Sequence, residues 1–394
     1  MILVGIDIGK NSHYFTVVRK EDGEVLLEPS KIDNDHEGFE SLLKSITPYR
    51  KEDILFGMED TGHYHFALLK YLLDRKLRVA LINPLITDFT RKANGGISKT
   101  DKLDTLTICD VLSSNRQKKP YRIFKVSRFD MYEQRSLTRH HHNLKEELNV
   151  YTNRLQKCID IVFPEYNSLF NSKYGIVYNR VLKNYGSAVN IAKADIRNLR
   201  KCFEYKGRGK RISLTAEKLK QAAKDSIGID STADTIQIRH LVEMIEQLSD
   251  QIEEVDKKIE EFSFQLNSPI LSIPGISHFS GTSILSEIGD INNFSDHRQI
   301  IKYAGVAPIV YESSQYKAEH TRITKSGSKY LRKTLYQIIL PVINNSEVFR
   351  RYYDLKISQG KSHRCAQGHC VRKLLRVIFH ILKTGQQFDP ALLR

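Results

Sequence analysis

The segment KTDKLDT, residues 99–105, carries two carboxylates three positions apart in a chain with a large excess of positive charge. Positions i and i+3 of a helix share one face, so a helical segment would point Asp101 and Asp104 the same way. Two further acids follow apolar stretches that are typical of buried strands: Asp7 after the first stretch and Glu59 at the end of the fourth. Mixed α/β sheets place their sites at such strand ends. We therefore expect these four carboxylates to form one site.

Four converging carboxylates repel one another unless cations lie between them. A divalent cation removes this repulsion, and a site made of oxygen ligands alone suits Mg²⁺. Two such ions about 4 Å apart activate an attacking oxygen and stabilise a leaving oxygen at phosphorus. The acidic residues therefore predict a magnesium site for phosphoryl transfer.

Two alternatives stay open at this point. Asp101 and Asp104 are equally typical of a helix N-terminus, where the helix dipole favours acids. Glu59 is followed by Asp60, and consecutive strand residues face opposite sides of a sheet, so only one of them can point at the site.

The apolar stretches of residues 1–120 predict a mixed α/β sheet of the ribonuclease-H type. Three antiparallel strands come first, and Asp22-Gly23 marks the hairpin turn between the second and the third. Helices then alternate with two more buried strands, and a helix containing KTDKLDT closes the domain. The first and fourth strands are neighbours in such a sheet, so Asp7 would lie beside Glu59.

The second part of the chain, residues 128–268, has a helical pattern. Apolar residues in 241–266 alternate steps of four and three, which is the seam of a coiled coil, and 128–165 shows an interrupted version of it. Residues 166–237 between them form a predicted helical insert. The two long helices could pair within one chain as an antiparallel hairpin or hold two protomers together, and we favour dimer contacts.

The third predicted domain, residues 269–394, begins with a helix-hairpin-helix-like segment in 271–290, whose Pro-Gly turn and second helix could hold a phosphate. The whole chain has a net charge of +15, and residues 298–394 contain 18 Lys and Arg against 5 Asp and Glu, with tyrosines interleaved. Such a mixture suits phosphates and bases, so we expect a nucleic acid partner. A solvated face that only maintains solubility is the alternative.

The five cysteines are scattered without a CxxC pair, which indicates reduced thiols and argues against disulfides and structural zinc. The sequence has no apolar run of about 18 residues, the length that a membrane span requires. It opens without a signal-peptide pattern, so we expect a cytoplasmic protein without membrane partners.

Eight short motifs occur in order along nearly the whole chain: GIDIGK, MEDTGHY, INP, KTDKLDT, IPGIS followed by SEIGD, YAGVAP, YESS and ITKSGSKYLRK. Together they resemble the DEDD-type transposases of bacterial insertion sequences, also described as bridge-RNA-guided serine recombinases. The resemblance implies a RuvC-like domain in 1–120, joined through a coiled coil to a C-terminal transposase domain. It also implies a homo-oligomer, a dimer or a tetramer, that acts on donor and target DNA read by a structured bridge RNA.

The resemblance also assigns roles to single residues. The four carboxylates named above match the family's DEDD acids. The family's nucleophile is a serine in a Y-E-S-G segment, which matches Ser313 in VYESSQY, although Ser314 stands here in place of the Gly and is an alternative nucleophile. In the family, the serine of one protomer completes the acidic site of another and forms a covalent phosphoserine intermediate.

A serine hydroxyl needs a nearby base or a metal to lose its proton. The nearest histidine to Ser313 is His320, seven residues on, so a metal of the acidic site is the expected activator. Basic residues that could hold phosphates or the developing charge follow closely: Arg322, Lys325, Lys329, Arg332 and Lys333. Nonspecific contact with a nucleic acid backbone is the simpler role for this group.

Three other functions fit parts of this pattern. A hydrolytic junction-resolving nuclease would use the four acids with water as the nucleophile. An actin-like ATPase also resembles GIDIG in its first phosphate motif, but the basic tail and the coiled coil argue against it. An RNA-binding scaffold with inactive acids would need no Mg²⁺ and would transfer no strand.

Overall fold

The computed structural model describes residues 1–60, 62–93, 100–114, 121–123, 131–204, 213–309 and 322–392, and only the backbone of 312–313 and 316–317. The chain divides into two compact units, Met1–Asp130 and Met131–Arg394. Among the described residues, no helix combines the length and apolarity needed to cross a bilayer.

A six-stranded mixed sheet in the order β3-β2-β1-β4-β5-β6 forms the first unit. The strands are β1 (Ile2–Ile8), β2 (Ser12–Arg19), β3 (Val25–Asp33), β4 (Ile54–Glu59), β5 (Arg78–Ile82) and β6 (Tyr121–Ile123). Strands β1 to β3 form an antiparallel meander, β1 pairs with β4 and β4 with β5 in parallel, and β6 pairs antiparallel to β5. This arrangement confirms the predicted ribonuclease-H-type sheet and adds β6, which is too short to leave a periodic signal.

Helices cover the two faces of this sheet. They are α1 (His36–Ser45), α2 (Phe66–Asp74), α3 (Pro84–Ala93) and α4 (Asp101–Ser113). Alternate residues of a strand face opposite sides, so Ile2, Val4 and Ile6 of β1 pack in the core with α1 and α2. Leu3 of β1 and Leu55 of β4 pack in the other core, with α4.

Helix α4 approaches the sheet at two glycines. A Cβ on Gly5 would lie 2.2 Å from the carbonyl oxygen of Thr105 and 2.7 Å from Sγ of Cys109. A Cβ on Gly57 of the neighbouring strand would lie 2.6 Å from the side chain of Leu112. The lack of a side chain at both positions lets α4 lie directly on β1 and β4.

Two long helices, α5 (Tyr132–Val162) and α10 (Thr232–Leu266), are joined by a helical insert and pack against each other in the second unit. Leu144 near the start of α5 shares a core with Leu248 and Ile259 of α10. The end of α5 shares a different core with the start of α10. The pair is therefore an antiparallel hairpin.

This pairing overturns the dimer contacts that we favoured for the seam of α10. Ile252 and Ile259 of the seam are only 4% and 1% exposed within a single chain. The apolar stripe of α5 closes the seam, because the insert between the two helices holds them close together. The seam therefore has no apolar surface left for a second protomer.

The insert contains four short helices around a compact core. They are α6 (Ile176–Tyr185), α7 (Ala188–Lys193), α8 (Ile196–Phe203) and α9 (Ala216–Lys224). Tyr166 lies at the centre of this core and donates a hydrogen bond to the carbonyl oxygen of Tyr178 at 2.8 Å. The basic segment KGRGKR, residues 206–211, lies outside the described residues.

The C-terminal part adds five helices and a short hairpin. These elements are α11 (His278–Ile288), α12 (His297–Tyr303), β7 (Glu312–Ser313), β8 (Tyr316–Lys317), α13 (Lys329–Asn345), α14 (Glu347–Ser358) and α15 (His363–Thr384). Their apolar faces form one core. The coiled-coil helices and this part belong to the same compact unit.

The predicted helix-hairpin-helix is only half formed. The segment before the Pro-Gly turn is a single 3-10 turn, Pro269–Ser272, because too few residues separate its two prolines for an α-helix. Gly275 of the turn has φ +93°, and a Cβ there would lie 2.7 Å from the backbone of Pro341. The turn packs on α13, and the amides of Ser277 and Ser280 have side-chain partners at the start of α11. The protein itself therefore occupies part of the groups that were expected to hold a phosphate.

Candidate active site

Asp7 and Glu59 lie side by side at the ends of two paired parallel strands. The register of β1 and β4 pairs Gly5 with Gly57 and Ile6 with Met58, and the next residue on each strand is one of the two acids. Both acids share the sheet face of the glycines, because each lies two residues further along its strand. That face is the one covered by α4.

Asp104 lies in the first turn of α4, beside this strand end. It directly precedes Thr105, whose carbonyl rests on Gly5, and its side chain is only 13% exposed. Asp101 begins the helix and is exposed. The structure therefore brings Asp7, Glu59 and Asp104 to one end of one sheet face and leaves Asp101 at its rim.

Helix α3 contacts two of these acids through residues one helical turn apart. The Thr87 hydroxyl donates a hydrogen bond to Oε1 of Glu59, and Nη1 of Arg91 lies 3.7 Å from Oδ1 of Asp104. Residues four apart on a helix share a face, so α3 links β4 to the first turn of α4. The sequence analysis missed both contacts, since Thr and Arg at this spacing are common on ordinary amphipathic helices.

Of the two neighbouring acids on β4, Glu59 has the environment that suits the site. It shares the face covered by α4 and accepts the hydrogen bond from Thr87. The side chain of Asp60 is 61% exposed, and its Oδ1 lies 3.8 Å from Nε2 of His65. Asp60 is therefore directed to solvent.

The donor atoms suit Mg²⁺, because carboxylate oxygens are the ligands that this ion prefers. Among the described residues, however, no group of three or more His, Cys, Asp and Glu side chains is arranged to hold a metal ion. Arg91 is also a cationic neighbour of Asp104. A metal ligated by Asp104 would have to share or replace this guanidinium.

Ser313 lies on a narrow hairpin in the second unit. Its outgoing arm contains Gly305 and Ala307, and its returning arm contains Thr324 and Lys325. The amide of Lys325 donates to the carbonyl of Gly305 at 3.0 Å, and the amide of Thr324 donates to the carbonyl of Ala307 at 2.9 Å. Further out, Ser313 pairs with Tyr316 in the two-stranded sheet of β7 and β8. Ser313 thus belongs to the outermost described pair of the hairpin, and Ser314 lies outside the described residues.

The basic residues after the hairpin fall into two groups. Arg322, Lys325 and Lys329 are exposed. Arg332 donates to the carbonyl of Ala304 at 3.2 Å, and Lys333 pairs with Glu146 of α5 at 2.7 Å. The last two therefore support the local structure as well as adding positive charge.

Two family models match this chain. A DEDD transposase model matches residues 4–164, and a model described as "Transposase IS116/IS110/IS902 family" matches residues 267–354. The chain belongs to this family of insertion-sequence transposases. The first match spans the sheet, α4 and α5, and the second spans the Pro-Gly turn and the hairpin that carries Ser313.

Individual proteins are also similar to all or part of this chain. The IS116 uncharacterized 44.8 kDa protein of Streptomyces clavuligerus is 22% identical over 99% of this chain and 96% of its own length. A pilin gene-inverting protein of Moraxella lacunata is 28% identical over 45% of this chain and 54% of its own. T. thermophilus RuvC in complex with a Holliday junction substrate is 13% identical, with a TM-score of 0.24, over 32% of this chain and 99% of that chain.

Membership of this family makes the chain a DNA-cutting and rejoining enzyme. The transposase therefore acts on DNA. The individual site residues stay predictions.

Proposed function

We propose that this transposase is an RNA-guided recombinase that cuts and rejoins DNA through a phosphoserine at Ser313, with a Mg²⁺ site formed by Asp7, Glu59, Asp101 and Asp104. The observation that carries this proposal is the register of β1 and β4. It puts two acids side by side on the face against which the helix with the other two acids packs. Oxygen-rich clusters of this kind serve phosphoryl transfer.

The proposed first step exchanges one phosphodiester for another. The oxygen of Ser313 attacks the phosphorus, the bond from phosphorus to the leaving sugar oxygen breaks, and the sugar oxygen gains a proton. The proton of the serine hydroxyl passes to a carboxylate of the acidic site or to water. The new diester keeps the energy of the broken bond, so a strand's free hydroxyl can reverse the step and reseal DNA without ATP.

Bound magnesium would lower the pKa of the attacking hydroxyl and neutralise the charge that develops on phosphorus. The acids of this chain would hold it, with Thr87 fixing the orientation of Glu59. Within the described residues, Arg91 is a second source of positive charge beside Asp104. An arginine near a transferred phosphoryl group stabilises developing negative charge.

Two further parts of the proposal, RNA guidance and self-association, are argued from the charge of the chain and from its division into two units. The net charge of +15 suits polyanions of either kind, and the insert between the two family models supplies surface beyond the catalytic parts. We propose a homo-oligomer because Ser313 and the acids belong to different units of the chain. Self-association would use a surface other than the seam of α10.

The proposal is tested by incubating the full-length transposase with its cognate RNA, donor and target DNA and Mg²⁺. Denaturing gels then reveal a covalent protein–DNA adduct. We expect the adduct with the unaltered protein and with Ser314→Ala, and its loss with Ser313→Ala and with Asp7→Asn.

Two results would contradict the proposal. Nicked DNA without an adduct, in the unaltered protein and in Ser313→Ala alike, would indicate the hydrolytic nuclease. Full strand transfer in the absence of RNA would show that the reaction needs no RNA guide. Binding of all three nucleic acids by Asp7→Asn serves as the control for folding.

A further inference from the structure

Glu287 on α11 is a buried carboxylate that the proposed chemistry does not use. Its side chain is 0% exposed. Nε and Nη2 of Arg139 donate to its two oxygens at 2.6 and 3.1 Å, and the Ser328 hydroxyl donates to Oε2 at 2.7 Å. The backbone carbonyl of Glu287 accepts a hydrogen bond from the Tyr303 hydroxyl at 3.0 Å.

The two residues that Glu287 gathers on this side are the two ends of the segment that carries Ser313. Tyr303 is the last residue of α12, and Ser328 precedes the first residue of α13. The amide of Ser328 also donates to the carbonyl of Tyr303 at 2.9 Å. The segment between Tyr303 and Ser328 therefore begins and ends at one point, and Glu287 lies beneath that point.

The same contacts determine where α13 begins. The hydroxyl of Ser328 accepts from the amide of Leu331 at 3.0 Å while it donates to Glu287. The buried carboxylate holds this capping hydroxyl in one orientation. Helix α13 can therefore begin at only one residue. Its first turn carries Lys329 and Arg332, which belong to the proposed DNA-binding residues.

Arg139 connects this point to the coiled coil. It lies on α5 and makes a bidentate contact, the most geometrically specific form of carboxylate recognition. Arg135, one turn earlier on α5, donates to the carbonyl of Ser286 at 2.9 Å. Displacement of α5 along its axis would thus disturb Tyr303 and Ser328, the two ends of the segment that carries Ser313.

We propose that Glu287 is a positioning residue for the nucleophile: its carboxylate ties Ser328, at one end of the segment that carries Ser313, to Arg139 of helix α5, while its backbone carbonyl holds Tyr303 at the other end. A buried ion pair is weak evidence for stability but fixes one geometry, which suits a hairpin that must present a hydroxyl accurately. This inference rests on the proposed role of Ser313. The clamp that Glu287 forms in this way is a property of described residues that can be measured without chemistry.

The first test compares Glu287→Gln with Glu254→Gln, which alters an exposed acid of α10. Hydrogen exchange of the full-length protein is followed in peptides that cover 304–328. We expect at least about fivefold faster exchange in this segment for Glu287→Gln, with α15 unchanged and no difference for Glu254→Gln. Unchanged exchange in a folded Glu287→Gln protein would overturn the clamp.

The second test measures the rate of adduct formation at saturating DNA together with the dissociation constant for DNA. For Glu287→Gln we expect an adduct rate lower by about tenfold or more and DNA affinity within about twofold of the unaltered protein. An unchanged adduct rate would refute the positioning role. Loss of DNA affinity in parallel with the rate would point to a merely structural role and also refute it.

Ser328→Ala keeps the buried ion pair and removes the hydroxyl that both links Glu287 to the end of the Ser313 segment and caps α13, so it serves if Glu287→Gln fails to fold. We expect the same two effects at smaller size, and Ser328→Thr, which keeps a hydroxyl, to restore them. If the unaltered protein forms no adduct at all, the proposed function fails, while the exchange experiment still decides the clamp.

Discussion

The guanidinium of Arg91 on α3 lies 3.7 Å from the carboxylate of Asp104 on α4. One of the four acids predicted to bind magnesium thus already has a cationic neighbour. Arg91 also contacts Asp88 of its own helix at 2.5 Å, which holds the guanidinium between two carboxylates. Its charge must affect any cation that binds beside Asp104.

We expect Arg91→Gln to tighten Mg²⁺ binding. Removing a positive charge close to the site lowers the repulsion felt by the ion by at least about 1 kcal/mol, the value for two unit charges about 4 Å apart in bulk water, which corresponds to roughly fivefold or more in affinity. Isothermal titration of Mg²⁺ into the full-length protein measures this. The control is Lys92→Gln, which removes an exposed charge paired with Asp88 and should change the affinity for Mg²⁺ less. Weaker Mg²⁺ binding in Arg91→Gln would contradict the prediction and show that Arg91 positions Asp104 instead.

Gly5→Ala should displace α4 from the sheet. The new methyl group would lie 2.2 Å from the Thr105 carbonyl oxygen, a backbone atom that moves only with its helix, and overpacking of this kind costs about 1–3 kcal/mol. Urea unfolding, with hydrogen exchange of α4 peptides as the reporter of this unit, checks the loss.

Gly57→Ala is the matched control for this substitution. Its methyl group would meet the end of the Leu112 side chain at 2.6 Å, which can rotate away, so a smaller loss is expected. Equal stability of Gly5→Ala and the unaltered protein would mean that α4 does not pack on β1 as closely as described.

Ile259→Ala should destabilise the second unit without dissociating an oligomer. Ile259 is 1% exposed in the seam between α5 and α10, and truncation of a buried isoleucine costs roughly 2–5 kcal/mol. Thermal unfolding and sedimentation are measured together, with Ile236→Ala, 47% exposed on the same helix, as the control. Dissociation of protomers by Ile259→Ala at an unchanged unfolding temperature would contradict this prediction and show that the seam is an interface between chains.

Acidification should destabilise the second unit between about pH 6.5 and 4. Burial, helped by nearby Lys333, lowers the pKa of His142 to about 4, whereas an unfolded histidine titrates near 6.5. Above 6.5 both states are neutral; between the two values only the unfolded chain gains the proton, so stability falls as pH falls. The loss reaches up to about 3 kcal/mol for one such residue.

Thermal unfolding at pH 7 and pH 4.5 measures this dependence. His142→Gln should reduce it, because glutamine does not titrate and can still reach the Thr334 hydroxyl that lies 3.0 Å from Nε2. Part of the dependence should remain, since burial also lowers the pKa of His141 to about 4. His240→Gln, at an exposed position of α10, should leave it unchanged. A pH dependence that is identical in all three proteins would contradict the assignment.

The sequence was sufficient for the parts of the fold that depend on short-range periodicity. Short apolar stretches predicted β1 and β4 as buried strands, and the ribonuclease-H-type order of the predicted elements made them neighbours, which put Asp7 beside Glu59. The seam of α10 was predicted for the same reason. Because each of these patterns repeats within a single element, no knowledge of distant contacts was needed.

What depends on distant packing was missed or wrong. His141 and His142 are only 6% and 2% exposed, because α11 covers the side of α5 that a two-helix pattern leaves open, and the sequence of α5 alone does not predict this cover. Arg91 and Glu287 resemble ordinary charges of amphipathic helices. Their roles can be inferred only from the structure, which places Arg91 beside Asp104 and Glu287 beside Arg139.

Mass spectrometry of a completed reaction tests the central claim most directly. Trypsin releases the peptide Tyr303–Lys317, which contains both candidate serines, and nuclease trimming leaves a short nucleotide on any covalent adduct. We predict that fragmentation places the nucleotide on Ser313, that Mg²⁺ is required, and that Asp7→Asn abolishes the signal. Cleaved DNA with no nucleotide on this peptide, or a nucleotide on a residue elsewhere in the chain, would contradict the account.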